Sequence, residues 1–243
     1  AAVNGLFKGK AVVDIDAATY TAAVSAKNGG SYTEDMIACW PCGKLGDYIF
    51  HGSTIEAGRL ARTDTDNGGI PYESPSNKSI SVDSLCLEDG TEVILTLAQA
   101  NVLNAAGICT GLNFMTGWKA WGNYTACYPG DQDVKNYFIP ISRMFDWVGN
   151  TLIKTFWYKL DNPLNRRLID CIVDSANIWL NGLTARGYLL GARVELLDSE
   201  NPLTDLMAGI IRIHIYMTPP SPAQEIDFVL EYDAAYVSTL MSA

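Results

Sequence analysis

The sequence predicts a mixed α/β fold with α+β character, and three observations support this prediction. Short apolar runs typical of strands alternate with capped helical segments along the 243 residues. Two apolar stripes with helical spacing flank residue 160. The C-terminal region alternates apolar and polar residues, as half-buried strands do. We therefore expect a core with two long helices and a C-terminal β-hairpin.

The first half of the chain predicts short elements. Residues 12–15 and 36–40 are apolar enough for strands. Ser53 and Glu56 have the spacing of a capping box, which predicts a helix to about residue 62.

The next elements follow the same alternation. Residues 79–87 predict a strand that ends in a Glu88-Asp89-Gly90 turn. Thr96 and Gln99 form a second capping-box pattern, which opens a short helix closed at Gly107. Residues 108–115 are apolar enough for the following strand.

Two stripes predict the long helices. The first consists of Met144, Phe145, Val148, Leu152 and Phe156, and the second of Leu168, Ile172, Ala176, Trp179 and Leu183. Asp161 followed by Pro163 predicts the beginning of the second helix, and Gly187 predicts its end.

The C-terminal region predicts a β-ribbon whose strands are joined by a proline-rich connector. The apolar positions of the two strands are Ile211, Ile213 and Ile215, and then Ile226, Phe228 and Leu230. Because an isolated two-stranded ribbon is marginal in water, it must pack on something else. We expect a core domain over residues 1–198 and a hairpin with a linking arm over residues 199–243.

Charge and hydropathy disfavour two classes of partner, nucleic acid and membranes. The net charge is −10 with a pI near 4.6, which disfavours nucleic acid. We expect no membrane insertion, because no apolar run approaches the length of a membrane span. Acids exceed bases over residues 199–243, and bases exceed acids over residues 143–193. Attraction between copies of the chain is one consequence of this distribution, and ordinary solvated faces are the alternative.

The six cysteines and two histidines offer little catalytic chemistry. Cys39 and Cys42 form a C-x-x-C pair, but residues 43–47 read as a turn where a redox motif needs a helix. A zinc site is not predicted, because no second C-x-x-C exists and His51 and His214 are far apart in sequence. We therefore predict no catalytic residues, no metal and no cofactor.

Several segments, in this order, resemble the tail sheath proteins of contractile bacteriophages and related injection devices. They are residues 61–64 (ARTD), 68–72 (GGIPY), 74–78 (SPSNK), 103–108 (LNAAGI), 117–125 (GWKAWGNYT) and 208–226. In the family's "WG.RT" step, Tyr124 replaces the basic residue. The resemblance extends from about residue 37 to residue 233.

The resemblance implies a structural, non-enzymatic subunit of a virion tail, assembled in the host cytoplasm. Such subunits form stacked six-subunit rings around an inner tube, and contraction drives the tube through the host envelope for genome delivery. The implied partners are neighbouring sheath subunits, the inner tail tube protein, and baseplate and tail terminator proteins. The chain would be the C-terminal half of a sheath protein, with a core domain incomplete at its N-terminal side.

The family also joins subunits by terminal arms that add strands to a neighbour's sheet. This implies inter-subunit contacts for the six apolar residues of the predicted ribbon. Disulfides between subunits outside the host are a further hypothesis, with Cys39, Cys42, Cys127 and Cys171 as candidates.

Three alternatives remain open at this stage. The first is the sheath of a headless contractile injection particle or a phage-tail bacteriocin. The second is a thiol-redox enzyme that uses Cys39 and Cys42, and the third is a ligand-binding domain.

Overall fold

The computed structural model describes residues 7–115 and 117–241. It contains three β-sheets with helices packed on them. The strands are β1 (Ala11–Asp14), β2 (Met36–Cys39), β3 (Cys42–Leu45), β4 (Tyr48–Phe50), β5 (Ser84–Cys86), β6 (Glu92–Val93), β7 (Ile108–Asn113), β8 (Trp118–Trp121), β9 (Gly191–Glu195) and β10 (His214–Thr218). The α-helices are α1 (Tyr20–Gly29), α2 (Gly52–Asp66), α3 (Leu97–Ala105), α4 (Val134–Tyr137), α5 (Ile139–Phe156), α6 (Arg166–Ala185) and α7 (Leu203–Met207). This confirms the predicted mixed α/β class.

The first sheet has the order β1-β2-β7-β8, and its first three strands are parallel. Strand β2 is buried on both faces. Ala38 and Trp40 face a cluster that includes residues of α1 and α3, whereas Ile37 and Cys39 face one that includes residues of α2 and α5. A parallel strand covered on both sides reads as a continuous apolar run, which is why residues 36–40 were recognisable in the sequence.

The second sheet is antiparallel, with the order β4-β3-β5-β6. It follows the first sheet directly, because only Trp40 and Pro41 separate β2 from β3. The predicted strand over residues 79–87 is shorter in the structure, where β5 covers three residues before the Glu88-Asp89-Gly90 turn.

The two long helices pack on the third sheet, which consists of β9 and β10 alone. Met144 and Val148 of α5 and Leu180 and Leu183 of α6 are buried in one cluster with Val194 of β9. An ion pair joins this region to helix α2, which packs on the first sheet: Arg143 of α5 donates to Asp64 of α2 across 3.0 Å.

The N-terminal ends of α2 and α6 differ from the predictions, whereas that of α3 agrees. The Thr96–Gln99 capping box of α3 is confirmed. At α2, however, the N-cap residue is His51, and Ser53 donates its backbone amide to Asp14 over 2.7 Å. Helix α6 begins after Asn165, whose side chain accepts a hydrogen bond from Leu168, and not near Asp161.

The predicted C-terminal hairpin is not formed within the chain. Strand β10 pairs instead with β9, and residues 219–233 contain no strand. Alternation showed which side chains share a face but not which segment supplies the backbone partner. The β9–β10 pair also spans the predicted domain boundary at residue 198.

Candidate functional site

The β9–β10 ribbon is the first part of the candidate site. Its antiparallel register extends from His214 opposite Glu195 to Thr218 opposite Gly191. In the part of the chain that the structure describes, this sheet has two strands, so each strand has one edge without a β-partner. An edge of this kind is a template for a strand from another chain.

The first three predicted contact residues lie on or just before β10. Ile213 and Ile215 pack against the cluster beneath the ribbon, and Ile211 is half-buried. Their side chains therefore contribute to this chain's own core, while the free backbone edge of β10 is available for pairing. Whether another subunit contacts them stays a prediction.

The C-terminal arm, defined here as residues 219–233, is the second part of the site. Its start is fixed to the core, because Pro219 is buried and the Tyr124 hydroxyl donates to Gln224 Oε1 over 2.7 Å. Beyond this anchor the apolar side chains face solvent. Phe228 is 83% exposed and Leu230 is 93% exposed, with Ile226 at 69%.

Acidic residues alternate with these apolar residues. Glu225, Asp227, Glu231 and Asp233 are all exposed on the arm. The expected basic helical face is partly neutralised within the chain, since Arg143 is paired with Asp64 and Arg193 with Glu195. The bases of α6 nearest its N-terminus, Arg166 and Arg167, are exposed, and Arg166 pairs with Asp170.

The cysteines are all free in the structure. Cys39 lies beside Cys109 in the β2–β7 register, and Cys42 lies opposite Cys86 in the β3–β5 register. Sequence reasoning missed these neighbours, because strands distant in sequence bring them together. Of the four disulfide candidates, Cys39 and Cys42 are buried, Cys127 is half-buried and Cys171 is exposed. Disulfides between subunits stay a prediction.

The thiols of the C-x-x-C pair lack the environment of a redox centre. Burial raises the pKa of Cys39 well above its ordinary value and also raises the pKa of Cys42. A reactive cysteine needs a lowered pKa, which a helix N-terminus or a neighbouring cation supplies. Cys42 instead begins strand β3. The redox alternative is not favoured.

Among the residues that the structure describes, one group of side chains could hold a metal ion. A donor atom from each of Cys42, His51 and Glu88 lies within 4.8 Å of the others, beside Asp14. The sequence analysis did not predict this group, because its members belong to three separate elements.

None of the helices that the structure describes is both long and apolar enough to cross a membrane.

Curated relatives of the chain are tail sheath proteins. The tail sheath protein of Burkholderia phage BcepMu is 28% identical over 209 residues, which cover 83% of this chain and 43% of that protein. The tail sheath protein of Escherichia phage P2 is 26% identical over 144 residues, which cover 59% of this chain and 35% of that protein. The chain therefore spans less than half the length of either relative. No family model matches it.

Solved structures with the same fold are also sheath proteins. The PVC sheath complex of an extracellular contractile injection system, in its contracted state, superposes with a TM-score of 0.77 at 19% identity. It covers 92% of this chain, which corresponds to 64% of that one. The contracted helical sheath of the anti-feeding prophage gives a TM-score of 0.73 at 21% identity, covering 91% of this chain and 61% of that one. The chain is therefore similar in sequence to tail sheath proteins of contractile phages, and it shares the fold of contractile sheath structures.

Proposed function

We propose that this chain is part of a structural subunit that polymerises as stacked six-subunit rings around an inner tube. Contraction of the stack then drives the tube through the host envelope for genome delivery. The observation that carries the proposal is the C-terminal arm, whose apolar side chains alternate along an extended segment and face solvent. An exposed apolar surface of this kind marks an interaction site.

In this proposal the arm of one subunit adds a strand to the β9–β10 ribbon of a neighbour. Main-chain hydrogen bonds to the open ribbon edge would provide directional linkage, and the side chains would fit against the neighbour's surface. Ile226, Phe228 and Leu230 share one face of such a strand, because successive residues of a strand point to opposite sides. Val229 lies on the other face.

The energetics favour many weak links over one strong link. Burying each of the three apolar side chains contributes roughly 1.5–3 kcal/mol. Ordering each residue of the arm costs about 1–2 kcal/mol of backbone entropy, so a single exchange is marginal. A subunit linked at several points is held much more firmly, because each later link forms at high effective concentration.

The proposed partners follow from this arrangement. They are neighbouring sheath subunits, the inner tail tube protein, and baseplate and tail terminator proteins of a virion tail. Contraction would switch the lattice between two packings, with the arms as tethers that survive rigid-body motion. This mechanism needs no catalytic residue. The sheath of a headless contractile injection particle is the alternative, supported by the likeness to the PVC and anti-feeding prophage structures.

Substitutions on the two faces of the arm test the proposal. We expect the double variant Phe228→Asn/Leu230→Asn of the full-length protein to abolish striated polymers in negative-stain electron microscopy. Removing residues 224–243 should have the same effect. Val229→Asn is the matched control, because Val229 is 81% exposed and lies on the opposite face of the strand.

The free subunit should tolerate all these substitutions, because the substituted side chains face solvent. Circular dichroism and thermal unfolding of the unassembled protein check this point. Normal polymers from the double variant would refute strand exchange through the arm. Loss of polymers in Val229→Asn alone would refute the assigned face.

A further inference from the structure

We propose that Cys42, His51 and Glu88 hold a Zn²⁺ ion, with Asp14 beside His51. The four residues come from the start of β3, the N-cap of α2, the turn after β5 and the end of β1. This proposal does not depend on the proposed assembly function.

The three donor atoms lie close enough together to converge on one ion. His51 Nδ1 lies 3.7 Å from Asp14 Oδ2 and 3.7 Å from Glu88 Oε1. Both contacts are longer than a direct hydrogen bond. Zinc bonds of 2.0–2.3 Å in tetrahedral geometry place neighbouring ligand atoms roughly 3.3–3.8 Å apart. The Cys42 sulfur completes the group, with its Sγ, a His51 nitrogen and a Glu88 oxygen all within 4.8 Å.

The surroundings favour a cation. Two of the ligands, Cys42 and Glu88, line a cavity of about 230 Å³ together with the carboxylates Asp14, Asp16 and Asp89. The described residues that line this cavity include no lysine or arginine. Cys42 is only 8% exposed, whereas the His51 side chain is 58% exposed and leaves a route for the ion.

Hydrogen bonds already hold the Asp14 carboxylate in place beside His51. Ser53 donates both its backbone amide and its hydroxyl to the Asp14 carboxylate. Outer contacts of this kind hold metal ligands in place and adjust their basicity.

The donor set selects the metal. Thiolate and imidazole suit Zn²⁺, whereas Mg²⁺ and Ca²⁺ prefer ligand sets made of oxygen alone. A bound ion would join the start of β3 to the N-terminus of α2 and to the turn after β5. Its binding would stabilise the folded chain in proportion to the occupancy.

Cobalt substitution provides the test. The 243-residue chain is stripped with a chelator under reducing conditions and titrated with Co²⁺. We expect one equivalent to produce a thiolate-to-cobalt absorption band together with the visible bands of tetrahedral Co²⁺. Zn²⁺ should then displace the cobalt, and the zinc-loaded chain should unfold at a higher temperature than the stripped chain.

Variants identify the ligands. We expect His51→Ala and Cys42→Ser to lower the Zn²⁺ affinity by more than the roughly 10–100-fold that loss of an outer-shell partner costs. His51 is exposed, so its substitution leaves the fold intact even if Cys42→Ser does not. His214→Ala and Cys171→Ser are the matched controls, because neither residue belongs to the group. A missing charge-transfer band, or a band retained in either ligand variant, would overturn the proposal.

Discussion

Glu56 is a buried carboxyl group whose environment should limit the stability of this protein. Its side chain is buried in α2, and its Oε1 atom has no hydrogen-bond partner among the described residues. It lines a cavity of about 20 Å³, which is large enough for a single water molecule. Burial raises the pKa of Glu56 to about 7, although Arg143 and Arg59 partly offset this effect.

The raised pKa predicts stability that falls as pH rises. In the unfolded chain Glu56 ionises near its ordinary value of 4.5, whereas in the folded chain it keeps its proton up to about pH 7. The folded state therefore binds more protons within this window, and the free energy of unfolding decreases by about 3 kcal/mol as the pH rises through it. Glu56→Gln should remove this decrease, as measured by urea unfolding at pH 5 and pH 8.

Glu73→Gln is the control for this measurement. Hydrogen bonds from Lys78 and Asn67 lower the pKa of Glu73 below its ordinary value of 4.5. The contribution of Glu73 to the free energy of unfolding is therefore present above pH 4.5 and is lost only at lower pH. The substitution should shift the stability by a constant amount between pH 5 and pH 8. Parallel pH profiles for the unsubstituted chain and Glu56→Gln would contradict the assignment.

Glu56 also shows where sequence reasoning fails at the residue scale. The pair Ser53 and Glu56 has the same local pattern as Thr96 and Gln99, yet only the second pair forms a capping box. At α2 a distant carboxylate, Asp14, takes both hydrogen bonds that Ser53 donates. Local sequence contains the signal for a cap but not for a tertiary competitor, so a single sequence could not separate the two cases.

At the scale of elements, helix α6 provides the matched pair of positions for a test of packing. Leu180 is fully buried against α5 and the ribbon, whereas Ile178 is 73% exposed on the same helix. Leu180→Ala should lower the free energy of unfolding by about 2–5 kcal/mol, because it leaves a cavity in the core.

Ile178→Ala should change the free energy of unfolding by no more than about 0.5 kcal/mol, since it removes no buried contact. Chemical denaturation of both variants measures the difference. Equal effects at the two positions would mean that another surface covers Ile178 in solution.

The other elements could be predicted where their interactions are local in sequence, and not where they depend on distant segments. The long helices were recognisable because residues three or four apart carry the whole signal. The prediction of a C-terminal hairpin was wrong, because β10 pairs with β9, a strand that the sequence analysis did not identify. The apolar arm itself was recognisable, since alternation is local. The Cys42, His51 and Glu88 group was not, because it depends on how separate elements pack.

At the scale of the whole molecule, the arm divides the chain into a packed body and an exposed segment. Phe228 and Tyr232 are each 83% exposed, and residues 219–233 contain no strand. Segments without secondary structure or burial are cut first by proteases. Chymotrypsin should therefore cleave the unassembled subunit after Phe228 and Tyr232 before it cleaves the buried core strands.

Assembly should reverse this sensitivity if the arm becomes a strand in a neighbouring subunit. A strand paired on a ribbon edge is not available in the extended, mobile form that a protease requires. We expect cleavage after Phe228 and Tyr232 to slow at least tenfold in polymers, as followed by mass spectrometry of the released peptides. The Phe228→Asn/Leu230→Asn variant, kept under the same assembly conditions, should still be cut after Tyr232 at the rate of the free subunit. Equal cleavage of the arm in polymers and free subunits would show that the lattice is held by other contacts.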